Sequence, residues 1–232
     1  MPLRGWRARG GVALIAVMTH RFYSQHRQDQ IVYETFFRDA RPGDFPGVFV
    51  DVGAYDGATF SNSLFFEETL GWRGLCVEPL PEAFAKLAAR RRAISVNCGV
   101  SDYEGTANFL DVEIAGFEKM YSGLVKNYDK RHSEFIEQRA TKKRVIKVPV
   151  RRLSAILAEH GIAEVDYCSI DTEGSELAIL SDLMAAPVKI RVLTVENNYR
   201  DIAIPTLLTQ RGYRFSALEG FDELYALAEL TA

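Results

Sequence analysis

The stretch Val48-Phe49-Val50-Asp51-Val52-Gly53-Ala54-Tyr55-Asp56-Gly57 constrains this chain more than any other. Val48 to Val50 read as a buried strand, Gly53 follows at its end, and Asp56-Gly57 precede a helix. A strand running through a glycine turn into a helix is how open α/β sheets hold nucleotide-like ligands. Glycine lets the backbone approach where a Cβ would intrude. The turn lacks the dinucleotide pattern G-x-G-x-x-G, since Ala54 and Tyr55 follow Gly53. It carries two carboxylates, Asp51 and Asp56, and no cation within the stretch, so a pyrophosphate suits it badly. A cationic, amino-acid-like nucleoside suits it better, and S-adenosylmethionine, with its ammonium and sulfonium groups, is such a ligand.

Twenty-one residues beyond Gly57, the run Gly74-Leu75-Cys76-Val77 ends in Glu78-Pro79. It reads as the next buried strand, closed by a carboxylate. An acid at this offset can accept both hydrogen bonds of a ribose diol. The two landmarks together point to a nucleoside at one sheet edge.

The 232 residues suit one α/β domain with a substantial core. A formal net charge of −3 argues against nucleic-acid binding through a globally basic surface. Cys76, Cys98 and Cys168 each fall on an apolar strand and read as reduced core thiols of a reducing compartment, not a disulfide set or zinc site. At the N-terminus Arg4, Arg7 and Arg9 precede an apolar run from Val12 to Met18, too short to span a bilayer and with no small-residue cleavage site after it. Residues 1–23 are expected to be an extension outside the fold, with no stable membrane anchor, and the location cytoplasmic. Residues 24–232 form the domain.

Ser24 can cap a helix running to about Ala40, stopped by Arg41-Pro42-Gly43, with Val32, Phe36, Phe37 and Ala40 on one face. Residues 24–43 would make a helical lid whose polar first turn brings Gln25 or Asp29 to the ligand. Helices are expected from Ser61 to Leu70 and from Pro81 to Arg91. Ile94 to Cys98 reads as a third strand, and Asn97 and Asp102 near its end are candidates to flank the base.

Between residues 111 and 144 the strand–helix rhythm breaks. From Lys119 to Arg152 there are eleven Lys/Arg against three acids. A solvated charged helix is the ordinary source of such a run; as a rim of the substrate site it would favour an anionic acceptor, such as a nucleotide-linked or phosphorylated glycan. Val145 to Val150 alternates like a strand, and Leu153, Ile156 and Leu157 line a helix closed by Gly161. Val165 to Ile170 is then a buried strand ending in Asp171, followed by a turn with Glu173 and Gly174 and a helix through Leu183. Carboxylates at such a strand end lie where open α/β sheets place their chemistry. Val192 to Val195 leads to Glu196-Asn197-Asn198, a helix covers Pro205 to Gln210, and Tyr213–Ala217 with Leu224–Leu227 make a closing pair. The sum is a seven-stranded, mostly parallel sheet with one antiparallel strand near the edge.

The motifs Ser24-Gln25…Asp29, FVDVGAYDG, GWRGLCVEP, VDYCSIDTEGSE and VEN stand in an order that resembles the FkbM family of S-adenosylmethionine-dependent methyltransferases. The resemblance spans Ser24 to Leu227. It implies a class I methyltransferase (Rossmann-like) fold, O-methylation of a sugar or secondary-metabolite hydroxyl, and cofactor contacts at Asp51, Gly53, Asp56 and Glu78. Tyr55 departs from the Asn common in relatives.

Such a hydroxyl is a weak nucleophile until its proton is leaving, so a base or a metal belongs nearby. Asp171 is the first candidate base, with Glu173 also in contact with the cofactor and His132 an alternative base on the rim. Asp171, Glu196 and Asn197, at neighbouring strand ends, offer hard oxygen ligands of the kind Mg²⁺ takes. Two other readings use the same nucleoside edge. A nicotinamide-dependent oxidoreductase would also need Glu78, but the glycine pattern is wrong for it; a non-catalytic nucleoside-binding module has no need for Asp171 and Glu173. No residue pattern sets the acceptor's identity or the oligomeric state.

Overall fold

The computed structural model describes residues 20–40, 43, 46–116, 121–128 and 130–230. The basic and apolar segments at the N-terminus, Arg41-Pro42 of the expected helix stop and Lys119 of the basic run lie outside these residues.

The chain enters through a short helix α1 (Gln28–Val32), which continues as a π-helical turn over Tyr33–Phe37. The expected helix from Ser24 is therefore shorter. Arg27, at φ 64°, occupies the cap position, and Ser24 folds back on Asp29 instead. Strand β1 (Val48–Val52), helix α2 (Leu64–Glu68), β2 (Arg73–Val77), α3 (Pro81–Arg90) and β3 (Ile94–Val96) follow. Pro81 opens α3, where its missing N–H costs nothing. Next come β4 (Gly99–Val100), β5 (Gly105–Ile114), β6 (Gly123–Leu124), α4 (Lys130–Arg139) and β7 (Ala140–Arg151). The chain closes with α5 (Leu153–Glu159), β8 (Glu164–Ile170), α6 (Glu176–Ala185), β9 (Lys189–Glu196), α7 (Ala203–Gln210), β10 (Tyr213–Glu219) and β11 (Asp222–Leu227).

The main sheet has seven strands in the order β10-β11-β9-β8-β1-β2-β3. Only β11 runs against the rest, pairing antiparallel with both β10 and β9, as the sequence predicts. Strands β1, β2, β8 and β9 are buried along nearly their whole length, as central strands with both faces covered must be. On one face Val50, Val52, Cys168 and Leu193 pack against Leu153, Ile156, Ile179, Leu183 and Leu208 of α5, α6 and α7. On the other, Phe49, Cys76, Tyr167 and Val192 meet Val32, Phe65, Phe66 and Leu87 from α1, α2 and α3. Each large side chain enclosed in this way contributes about 1.5–3 kcal/mol.

The strand read at Val145–Val150 belongs elsewhere. It lies within β7, in a second, four-stranded sheet of order β4-β7-β5-β6, dominated by the long antiparallel pair of β5 and β7. Leu80, Ala83, Phe109, Leu124, Val148 and Val150 seal this sheet against α3 and the loop after β2. Helix α4 packs Ile136 on Val112 and Ile114 at its far end. Among the described residues no helix is long and apolar enough to cross a membrane.

Candidate active site

A cavity of about 390 Å³ opens at the carboxyl ends of β1, β2, β8 and β9, within the usual size range of small-ligand pockets. Sequential connections leave β1 in one direction to β2, while β8 lies on its other side, so this edge is the topological switch point where open sheets bind ligands.

The floor is the glycine turn. The N–H groups of Gly53 and Ala54 both donate to the carbonyl of Val77, and that of Asp171 donates to the carbonyl of Val52, locking three strand ends together. Gly53 has φ +92°, a region that L side chains rarely adopt. Tyr55, at φ 48°, turns its N–H onto Glu78 Oε2 at 2.9 Å, and Leu80 N–H meets Oε1 at 2.8 Å. Each carboxylate oxygen keeps acceptor capacity for a ligand. Burial, and then the nearby Asp51 and Asp111, push Glu78 up to about 7 against those two donors.

Gly53, Glu78, Gln25, Asp171, Glu173 and Glu196 all line the cavity. The other expected cofactor contacts do not, because their polar atoms are engaged elsewhere. Strand alternation turns Asp51 away to the α2 face, where Ser63 donates to it at 2.5 Å. Asp56 accepts from the N–H groups of Ala58 and Thr59 and from the Thr59 hydroxyl, organising its own turn. Burial opposes ionisation of Asp56, but those donors outweigh it and hold the carboxyl below its usual range. Asp29 accepts from Ser24 Oγ and from the N–H groups of Tyr23 and Gln30. Asn97 clamps the carbonyls of Glu78 and Pro79, and exposed Asp102 accepts from Ser101 Oγ at its side chain and from Arg152 at its carbonyl. These side chains shape the walls without lining them.

The glycine turn does have a cation, supplied from outside its own stretch. Arg91, following α3, donates to the carbonyl of Gly57, to Ser61 Oγ and to Ser63 Oγ, and pairs with Glu67 at 3.1 Å. Its position beyond an amphipathic helix carries no local signal of this role.

Opposite Glu78 stand Asp171, Glu173 and Glu196, with one carboxylate oxygen from each lying within 4.8 Å of the others. Burial raises all three well above the usual carboxylate range. Neighbouring carboxylates add to it, Asp222 foremost for Asp171 and Asp171 foremost for Glu173 and Glu196. Glu173 sits at φ 59°, in the left-handed region, and such backbone strain gathers at functional sites. Glu176 supports the turn by accepting from Thr172 N–H, Thr172 Oγ1 and Gly174 N–H. Asp222 was not legible in the sequence. Antiparallel pairing sets it opposite Glu196 at the cavity edge, where Gln28 donates to it at 2.7 Å.

Two further candidates are displaced. Asn197 accepts from Asp201 N–H and donates to Glu223, so its side chain is not in the carboxylate group, and Glu173 stands there instead. His132 does not line the cavity. It stacks on Tyr128 at 4.3 Å, its Nδ1 lies 2.6 Å from the Tyr199 hydroxyl, and it stands 3.8 Å from Glu173 Oε2.

Part of the basic insertion is paired with acids. Arg144 pairs with Asp111 and Glu82, Lys142 with Glu113 and Lys143 with Glu137. Among the described residues no Lys or Arg lines the cavity.

An open α/β sheet with a glycine turn, Glu78 and a set of three clustered carboxylates around one cavity at its switch point makes up the site. The sequence matches the model of the methyltransferase FkbM domain over residues 51–215, and the chain belongs to that family. It is an S-adenosylmethionine-dependent methyltransferase of the class I fold. Similar solved structures include a precorrin-6y C5,15-methyltransferase from Geobacter metallireducens GS-15, at 10% identity over 85% of this chain and 84% of that chain, with a TM-score of 0.41. Another is a SAM dependent methyltransferase from Aquifex aeolicus, at 11% identity over 88% of this chain and 93% of that chain, with a TM-score of 0.35. A search of curated proteins gave no match.

Proposed function

We propose that this methyltransferase methylates a hydroxyl group on a sugar, glycan or secondary metabolite. The observation that carries the reading is the pair of functions that share one cavity: Glu78 on one side, Asp171 with Glu173 on the other, and Gly53 in the floor between them.

Glu78 accepts the ribose diol with the lone pairs left after Tyr55 and Leu80 donate to it. Gly53, lacking a Cβ, lets the Asp171 backbone close against the turn at the cavity floor. Bound S-adenosylmethionine supplies a methyl group already activated on sulfur. The protein's share is therefore alignment and proton removal, and alignment is the larger part. Asp171 takes the hydroxyl proton in this reading, with Glu173 beside it. A carboxylate whose pKa is raised toward the working pH is the better base, and burial among like charges supplies that shift. Gln25, His26 and Phe221 stand at the rim and, as a lid, would limit access of water. His132 serves behind Glu173, not as the base.

The test is isothermal titration with S-adenosylmethionine, S-adenosylhomocysteine and NAD, on the wild type and on Glu78→Ala, followed by a screen of hydroxylated acceptors for methyl incorporation. Micromolar binding of the first two, lost in the variant, with methylated product at oxygen, is the expected result. Product methylated only at nitrogen or carbon would overturn the oxygen assignment.

A further inference from the structure

We propose that Asp171, Glu173 and Glu196 form a cation subsite at the acceptor end of the cavity. It takes either a divalent cation held beside the reacting hydroxyl or an ammonium group that the acceptor itself carries next to that hydroxyl. The proposal rests on the methyltransferase reading of the same cavity.

Two independent observations carry it. The three side chains come from two strand ends and the turn between β8 and α6, yet present one oxygen each within 4.8 Å of the others. Asp171 and Glu196 lie close enough to share a proton in a hydrogen bond, and Glu173 adds a third carboxylate in the same poorly solvated place. A cation would replace that proton and offset the like charge. Separately, Glu196 Oε2 is shielded from solvent and has no hydrogen-bond partner, although the residue lines the cavity. A buried carboxylate oxygen left unsatisfied is costly, and native structures rarely keep one without a ligand to complete it.

The surrounding charge agrees. Glu78, Asp171, Glu173, Glu196 and Asp222 all line the cavity, with no Lys or Arg among its described residues. The nearby basic strand β7 gives Lys142, Lys143 and Arg144 to acids of its own surroundings, so they do not compensate the cluster. The side chain at the corner is Glu173 and not Asn197, whose amide is engaged by Asp201 and Glu223. Three anionic oxygens suit a hard divalent ion or an ammonium group with its three donors.

The experiment titrates Mn²⁺, and separately Mg²⁺, into the wild-type protein saturated with S-adenosylhomocysteine. Calorimetry is read in both cases, and the Mn²⁺ paramagnetic resonance signal in the first. In a second arm the metal-stripped protein is assayed with paired amino-alcohol acceptors whose amine is either free or N-acetylated. Stoichiometric ion binding weakened at least tenfold in Glu196→Gln supports the subsite with the ion as occupant. At least tenfold preference for the free amine, lost in the same variant, supports it with the ammonium as occupant. Saturable S-adenosylhomocysteine binding with neither ion binding nor amine preference overturns the subsite and leaves the methyltransferase reading intact. Failure to bind S-adenosylhomocysteine at all overturns both.

Discussion

Gly53 lies so tightly against the backbone carbonyl oxygen of Asp171 that a Cβ on Gly53 would overlap it. The two residues end adjacent parallel strands, β1 and β8, and Asp171 N–H donates to the carbonyl of Val52 just before the glycine. The glycine turn and the proposed base are thus one mechanical unit.

Gly53→Ala is therefore expected to fail twice. The new methyl meets backbone, which cannot rotate away, and φ +92° is unfavourable for alanine. Together these cost about 3 kcal/mol or more. Thermal unfolding should show the loss, and residual folded protein should bind S-adenosylhomocysteine poorly. A variant with wild-type affinity would show that the strand ends separate freely.

As the proposed diol acceptor, Glu78 is expected to make ligand binding depend on pH. Its folded pKa of about 7 lies above the ordinary 4.5. In the proposed binding mode the diol donates to the ionised form, so binding would expel a proton below pH 7. Affinity for S-adenosylhomocysteine should weaken as pH falls through 7, by up to about tenfold per unit. For folding the sign is opposite. The raised pKa favours the folded state fully below 4.5, and that contribution is lost as pH rises through 7. Calorimetric Kd values and ligand-free unfolding midpoints across this window check both signs.

Arg91 and Glu67 are a buried pair, with side chains 0% and 4% exposed. Removing Arg91 leaves the buried Glu67 carboxylate its bonds from the N–H groups of Arg92 and Ala93 but no paired charge. Arg91→Met is expected to cost about 3–5 kcal/mol and lower Tm by on the order of 10 °C. The double variant Arg91→Met/Glu67→Leu should recover part of that, though Gly57, Ser61 and Ser63 still lose their donor. Equal loss in single and double variants would place Arg91's importance in the turn and not in the pair.

The charges of β7 provide a test of the anionic-acceptor expectation. Replacing Lys142 and Lys143 by Gln should leave S-adenosylhomocysteine affinity and acceptor KM unchanged, since both are turned to surface acids. A rise in KM that added salt mimics in the wild type would instead make the hairpin an acceptor-binding rim.

The three thiols should be silent in the native protein. Cys76, Cys98 and Cys168 are free and buried, and burial pushes Cys98, on the cavity wall, up to about 12. Alkylation at pH 8 is expected only after denaturant is added, with all three then labelled. Fast labelling of Cys98 without denaturant would mean that the cavity opens further than its static walls allow.

By itself the sequence determined the sheet and one side of the site. The apolar runs at Val48, Leu75, Val165 and Val192 can be satisfied only as strands covered on both faces, and strand connectivity then puts Gly53 and Glu78 at one edge. Those signals are local: period, run length and a glycine where backbone must pass close. Tertiary structure decided where side chains point once regular structure ends. The left-handed turn at Glu173 brings that carboxylate inward, while the bonds of Asn197 to Asp201 and Glu223 take its amide out of the cluster. It also decided which distant residues meet: Arg91 with the glycine turn, Asp222 with the edge beside Glu196, and β7 with β5 and not with the main sheet. Directions in irregular turns and long-range charge pairing depend on packing across the whole domain, and no window of sequence contains that packing.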